Sequence, residues 1–183
     1  MRRVLALAVG LTCALAAPVL AGNEASDDDF GQRMARAAPV VRVAMPVACP
    51  IPAQATGLRD GMLQAVNARR RAAGMAPLNH NPALIQAAAV IACDNARRGQ
   101  MTHTALVEGD LSRRLNSVGY RFGMAAEALA YGYSAPERLA QAWYVSPMHY
   151  PTLMTAAARE TGIAVVHAPD GRLWWAMISA RPR

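Results

Sequence analysis

Near the end of the chain two apolar stretches, Gly162-Ile163-Ala164-Val165-Val166-His167 and Leu173-Trp174-Trp175-Ala176-Met177-Ile178-Ser179, flank an Ala168-Pro169-Asp170-Gly171 turn. Short runs rich in β-branched and aromatic residues, separated by Pro, Asp and Gly, predict an antiparallel hairpin. Ahead of it the pattern is helical. Leu58, Met62, Ala65, Val66 and Arg69 recur at three-to-four spacing and predict a helix from Leu58 to Ala73 that Gly74 ends. Asn81 can cap a second helix with Pro82 in its first turn, running to Arg98-Gly99 with Leu84, Ala88, Ile91 and Asn95 on one face. A third helix fits Asp110 to Val118, closed by Gly119, and a fourth fits Pro136 to about Tyr144, capped by Ser134. Between them Ala126 to Tyr133 reads as extended. Helices first and strands late, without alternation of the two, predict an α+β domain rather than a βαβ array.

The first residues belong to a different kind of segment. Met1-Arg2-Arg3, an apolar run from Val4 to Leu20 and the acidic Asp27-Asp28-Asp29 have the layout of a secretory signal peptide over residues 1–21. An uncleaved anchor is the alternative, but the run contains Thr12, Cys13 and Pro18 and is at the short limit for a bilayer. Lipidation at Cys13 is disfavoured, because Thr12 precedes it and apolar residues continue beyond it. The mature protein is therefore expected to be secreted or periplasmic and to have no transmembrane segment. Residues 22–52 lack sustained periodicity and read as a linker, which leaves residues 53–183 as one domain without internal repeats.

Once the signal is removed, 17 arginines stand against 12 acids, and the chain has no lysine. Guanidinium groups suit phosphate and carboxylate partners. With few aromatic residues to stack bases on, nucleic acid is nevertheless not the expected partner. Cys49 and Cys93 are the two cysteines beyond the signal, an even pair that reads as one disulfide in an oxidising compartment. Closing a loop of that length stabilises a fold by about 4 kcal/mol in the chain-entropy treatment.

Three separate segments carry the residues with chemistry: Met101-Thr102-His103-Thr104, Ala126-Glu127-Ala128, and Trp143-Tyr144-Val145-Ser146-Pro147-Met148-His149. Two imidazoles and one carboxylate form a facial ligand set for Zn²⁺ or another divalent metal, with a position left for water. The same groups also serve as a hydrogen-bonded cluster with no metal, and at this stage both readings stand. His80, before the second helix, and His167, at a strand end, read as local packing residues. Trp143, Trp174 and Trp175 read as core or sheet aromatics, with Trp174 and Trp175 on opposite faces of their strand.

In order and spacing, these segments resemble the CAP superfamily of cysteine-rich secretory proteins, antigen 5 and pathogenesis-related 1 proteins, most closely its short bacterial members. The resemblance spans residues 57–181 and rests on several groups of residues. These are Val66-Asn67-Ala68-Arg69-Arg70, Gly74, Pro77-Leu78 and Leu84; Thr102-His103-Thr104; Leu115 and Gly119-Tyr120; Ala126-Glu127; Trp143, Ser146-Pro147 and His149; and Gly162-Ile163-Ala164-Val165. It implies a three-layer α-β-α sandwich with a central antiparallel sheet. It also implies a cleft holding His103, Glu127 and His149, with Ser146 near the position where larger members place a second acid. Met148 and Tyr150 stand where bacterial relatives usually have Gly and Arg, and Glu127 lacks the asparagine that usually follows it.

The implied function is a binding module whose cleft takes a lipid, peptide or cell-envelope ligand, with or without a divalent ion. The competing reading is a metal-dependent peptide or ester hydrolase in which His103, Glu127 and His149 hold the ion and Glu127 is the general base. Ser146 as an acyl-transfer nucleophile is discounted, because no nucleophile elbow surrounds it and the spacing to His149 does not by itself aim the hydroxyl. An envelope structural protein with a vestigial cleft is the third possibility.

Overall fold

The structure, a computed structural model, describes residues 49–183. The signal peptide and residues 22–48 of the linker lie outside the described residues. In chain order the elements are α1 (Ala55–Ala72), β1 (Asn79–His80), α2 (Pro82–Arg98), α3 (Leu111–Ser117), β2 (Phe122–Tyr131), α4 (Pro136–Val145), α5 (Tyr150–Met154), β3 (Glu160–His167) and β4 (Leu173–Pro182).

Most boundaries follow from local chemistry. At the start of α2, the Asn81 side chain accepts from the backbone N–H of Ala83 at 2.9 Å and of Leu84 at 3.3 Å. Its end is a left-handed Gly99, φ 62°, the conformation that glycine adopts without steric cost. Asp110 caps α3 from just outside it, accepting from Arg113 N at 2.9 Å. The expected Ser134 cap is not made. Ala135 occupies the N-cap of α4 without a side-chain bond, and Pro136, pre-set for helical φ, opens the helix one residue later.

The sheet order is β1-β3-β4-β2. The hairpin β3–β4 is antiparallel, with Val165 opposite Trp175, and β2 pairs antiparallel with β4 from Phe122 to Tyr131, so it begins four residues earlier than expected. Contrary to a purely antiparallel sheet, β1 joins β3 in parallel through Asn79 and His80. Two residues give too little pattern to be read as a strand. The five-residue α5 escaped notice for the same reason.

Side-chain alternation sends β4 into two cores. Trp174, Ala176, Ile178 and Ala180 pack with Leu84, Ala88 and Ile91 of α2 and Leu115 of α3. Leu173, Trp175 and Met177 pack with Met62 and Val66 of α1, Leu139 and Trp143 of α4 and Leu153 of α5. That is an α-β-α sandwich, with β4 buried on both faces. Trp174 and Trp175 do face opposite ways, and both are buried core residues. Helix α2 lies so close to β3 that a Cβ on Gly162 would come within 2.0 Å of the Leu84 carbonyl carbon. The absence of a side chain at 162 sets that inter-layer distance.

Cys49 and Cys93 form the expected disulfide, Cα to Cα 5.5 Å, pinning the first described residue to α2. Pro50 adds a backbone bond, accepting from His167 N at 2.9 Å, so the end of the linker packs on the domain. Among the described residues no helix is long and apolar enough to cross a membrane.

Candidate functional site

His103, Glu127 and His149 come from three layers and gather around β2, the edge strand of the sheet. Glu127 projects from β2 to the same face as Leu129, toward α2 and α3. His103 sits in the turn between those helices, and the buried Asn95 of α2 fixes that turn. Asn95 Nδ2 donates to Thr102 O at 2.8 Å, and its Oδ1 accepts from Thr102 N at 3.3 Å. His149 stands at the N-terminus of α5, on the opposite side of the sheet.

The first two are directly joined. His103 Nδ1 lies 2.8 Å from Glu127 Oε1, and the other oxygen, Oε2, accepts from Arg114 Nη2. The Glu127 side chain is 3% exposed, that of Arg114 is fully buried, and the imidazole is 64% exposed. Arg114 Nη1 also donates to the backbone carbonyls of His103 and Gly109, each at 3.0 Å. A buried carboxylate paired with guanidinium is an acceptor, so the His103 proton must sit on Nδ1. Nε2 then carries the free lone pair on the outward side of the ring. Arg114 was not foreseen from the residues alone. In Ser112-Arg113-Arg114-Leu115 nothing but its place one residue before the core residue Leu115 separates the buried arginine from its exposed neighbour Arg113.

His149 is held differently. Its Nδ1 is 2.9 Å from Ser146 Oγ, and its ring stacks near Trp143 with centroids 6.1 Å apart. The serine hydroxyl thus does reach the imidazole, which the spacing alone did not promise. Among the described residues no carboxylate hydrogen-bonds His149. Burial pushes the His149 pKa down, and the nearby His103 pushes it further the same way, so the ring favours its neutral form.

A cavity of about 280 Å³ opens beside His149, and Met101, Tyr131, Tyr133, Trp143 and Ser146 contribute to its wall. His103 and Glu127 do not line it. Among the described residues no three His, Cys, Asp or Glu side chains are placed to share a metal ion. Glu127 is engaged on one oxygen by Arg114 and on the other by His103. His80, 3.5 Å from Asp60, and His167, whose Nδ1 meets Gly171 O at 3.0 Å, are local contacts, as expected.

Residues 63–178 match the profile of the family described as Cysteine-rich secretory protein family, CAP. A curated relative, Uncharacterized protein YkwD of Bacillus subtilis, is 23% identical over 67% of this chain. The match spans 47% of that relative, about half its length. Among solved structures, an outer surface protein from Borrelia burgdorferi superposes with TM-score 0.64 at 18% identity, over 69% of this chain and 94% of that one. An extracellular protein containing a SCP domain from Bacillus anthracis gives 0.63 at 19% identity, over 69% of this chain and 41% of the other.

Proposed function

This chain belongs to the cysteine-rich secretory protein (CAP) family, and from that premise we propose that it is an exported binding module. It presents two imidazoles, His103 beside Glu127 and His149 in the cavity wall, to a small ligand and a divalent cation. The observation that carries this reading is the Arg114–Glu127–His103 chain. Its buried ion pair fixes the tautomer of an exposed ring and directs Nε2 outward, the arrangement in which a carboxylate orients a metal-binding histidine from behind. The lowered pKa of His149 supports the same use, because a metal competes with the proton for the ring. His103 and His149 would hold the ion, which would supply a Lewis-acid anchor for an oxygen of the ligand. The cavity beside Tyr131, Tyr133 and Trp143 would take the ligand's apolar or ring portion.

The hydrolase reading is weaker on this geometry. Glu127, its general base, has one oxygen on Arg114 and the other on His103 and is only 3% exposed, which keeps water from it. Export itself rests on the signal-like residues 1–21.

The test is a thermal or urea melt of the oxidised protein with and without Zn²⁺, beside a His103→Ala/His149→Ala variant. At about 100 times its dissociation constant the ion should stabilise wild type by about 2.7 kcal/mol and leave the variant unmoved. The shift should shrink as the pH falls below 6.5, the ordinary histidine value, as protons displace the ion. Stabilisation of equal size in both proteins, or one that persists unchanged at pH 5, would remove the histidines from the site.

A further inference from the structure

At one end of the sheet three adjacent strands carry arginine. Arg159 comes immediately before β3, Arg181 and Arg183 stand at the end of β4, and Arg121 comes immediately before β2. Arg159 and Arg181 flank the Glu160–Ala180 pair, and Arg159 N donates to Ala180 O at 2.9 Å. Arg183 N donates to Arg121 O at 3.2 Å, which extends the row onto β2. All four side chains are exposed. Alternation from Trp175 and Met177 puts Arg181 on the face toward α1, where it reaches across β2. Gly123 makes room for it, since a Cβ there would come within 3.1 Å of Arg181 Nη2. Glu160 does not neutralise the row: its Oε2 accepts from Tyr120 Oη at 2.6 Å, on the side of the other core. Among the described residues none of the four arginines pairs with a carboxylate.

We propose that this arginine row binds a linear phosphate polymer, laid across the strand ends and held through its phosphate groups. Neighbouring strands are about 4.8 Å apart, so guanidiniums on successive strands are close enough for one phosphate to accept from two of them. The charge already in place favours an anion there. Arg159 Nη1 donates to Ala158 O at 2.8 Å, and the same oxygen accepts from Nη2 of the buried Arg70 at 3.2 Å. Two like charges therefore meet at one carbonyl with no acid between them, and an anion beside Arg159 relieves that repulsion. A bilayer surface fits less well, because the large exposed apolar side chains that would insert, such as Leu106, Val145 and Met148, come from other parts of the chain. Base recognition also fits less well. It needs exposed rings to stack on, whereas Tyr120 and Phe122, the aromatic residues at this end, pack against the core. The site is independent of the histidine cleft and of the function proposed for it.

The oxidised mature protein is titrated with end-labelled inorganic polyphosphate, read by fluorescence anisotropy at several salt concentrations. With four arginine contacts, at roughly 0.7 for each as on a single strand, log K should fall against log salt with a slope of about −3. Arg121→Gln/Arg181→Gln should weaken binding at least tenfold and reduce the slope to about −1.4. Arg121→Lys/Arg181→Lys keeps the charge and should restore the slope. Arg113→Gln/Arg138→Gln loses the same charge from exposed positions on α3 and α4 and should bind as wild type does, as should His103→Ala/His149→Ala. Orthophosphate and phosphatidylglycerol vesicles at equal phosphate should compete at least tenfold less well than unlabelled polyphosphate, and oligo(dT) of equal charge no better than it. Equal weakening in both glutamine variants, a slope near zero, or tighter binding of the vesicles or of oligo(dT) would each overturn the assignment. So would binding that emerges only when Asp27, Asp28 and Asp29 are all changed to Asn, because the chain's own acidic run would then be the occupant.

Discussion

Replacing Arg114 by Met is expected to cost about 3–5 kcal/mol, the usual penalty for stranding one member of a buried ion pair. Glu127 would stay 3% exposed with no cation, and the carbonyls of His103 and Gly109 would lose their shared donor. Such a loss takes a large part of the stability of a domain this size. Urea unfolding measures it directly. The double variant Arg114→Met/Glu127→Gln is the informative control, because an uncharged carboxamide no longer needs a counter-ion, and it should recover a substantial share of the loss. A single variant as stable as wild type would mean that the pair is solvated and holds nothing in place.

Arg70→Met should be comparably damaging, for a different reason. This guanidinium is fully buried and has no acidic partner among the described residues. Its charge is solvated instead by carbonyls: Nε donates to Ala76 O at 2.9 Å, Nη1 to Leu153 O at 2.8 Å and Thr155 O at 3.1 Å, and Nη2 to Ala158 O at 3.2 Å. One side chain thus ties the end of α1 to the segment joining α5 and β3. Burial and the positive charge of Arg159 push its pKa below the ordinary arginine value, in keeping with a cation surrounded by dipoles rather than by an anion. Methionine fills the space but leaves Ala76 O and Leu153 O without a donor, while Thr155 O and Ala158 O keep Ala158 N and Arg159 Nη1. At about 1–3 kcal/mol for each of these two buried unsatisfied groups, the loss should be about 2–6 kcal/mol. Arg70→Lys should recover little of it, since a compact ammonium cannot reach donors spread over a planar fork. Equilibrium unfolding with a loss under about 1 kcal/mol would show that water replaces the guanidinium.

These two arginines mark the limit of what the residues disclosed beforehand. In the triplet Arg69-Arg70-Arg71 the first packs its guanidinium over Tyr144, the second is wholly buried and the third is exposed. The run reads as a solvated helix face, because helical phase separates the three only once the partner layers are known. By contrast, the hairpin, the Asn81 cap, the glycine stops and the disulfide were legible, since each depends on a few adjacent residues or on a count of two cysteines. The site fell between these cases. His103, Glu127 and His149 stood out by their chemistry and again by the resemblance, and the first two are hydrogen-bonded to each other. The part Glu127 plays there depends on Arg114, thirteen residues away in sequence and in another layer. Ser146 was placed in the cleft by analogy and does line the cavity, and its contact with His149 arises from the turn that opens α5.

If the buried Arg114–Glu127 pair fixes the tautomer of His103 and leaves Nε2 open on the exposed side of the ring, the histidine rings themselves should report it. Long-range ¹H–¹⁵N correlation of those rings is the most direct test, at pH 7.5 and then with Zn²⁺ added. The expected result is a His103 ring with a proton on Nδ1, and on addition of the ion a displacement of the Nε2 resonances of His103 and His149 while His80 and His167 stay still. A His103 ring protonated on Nε2, or histidine spectra unchanged by Zn²⁺, would contradict it.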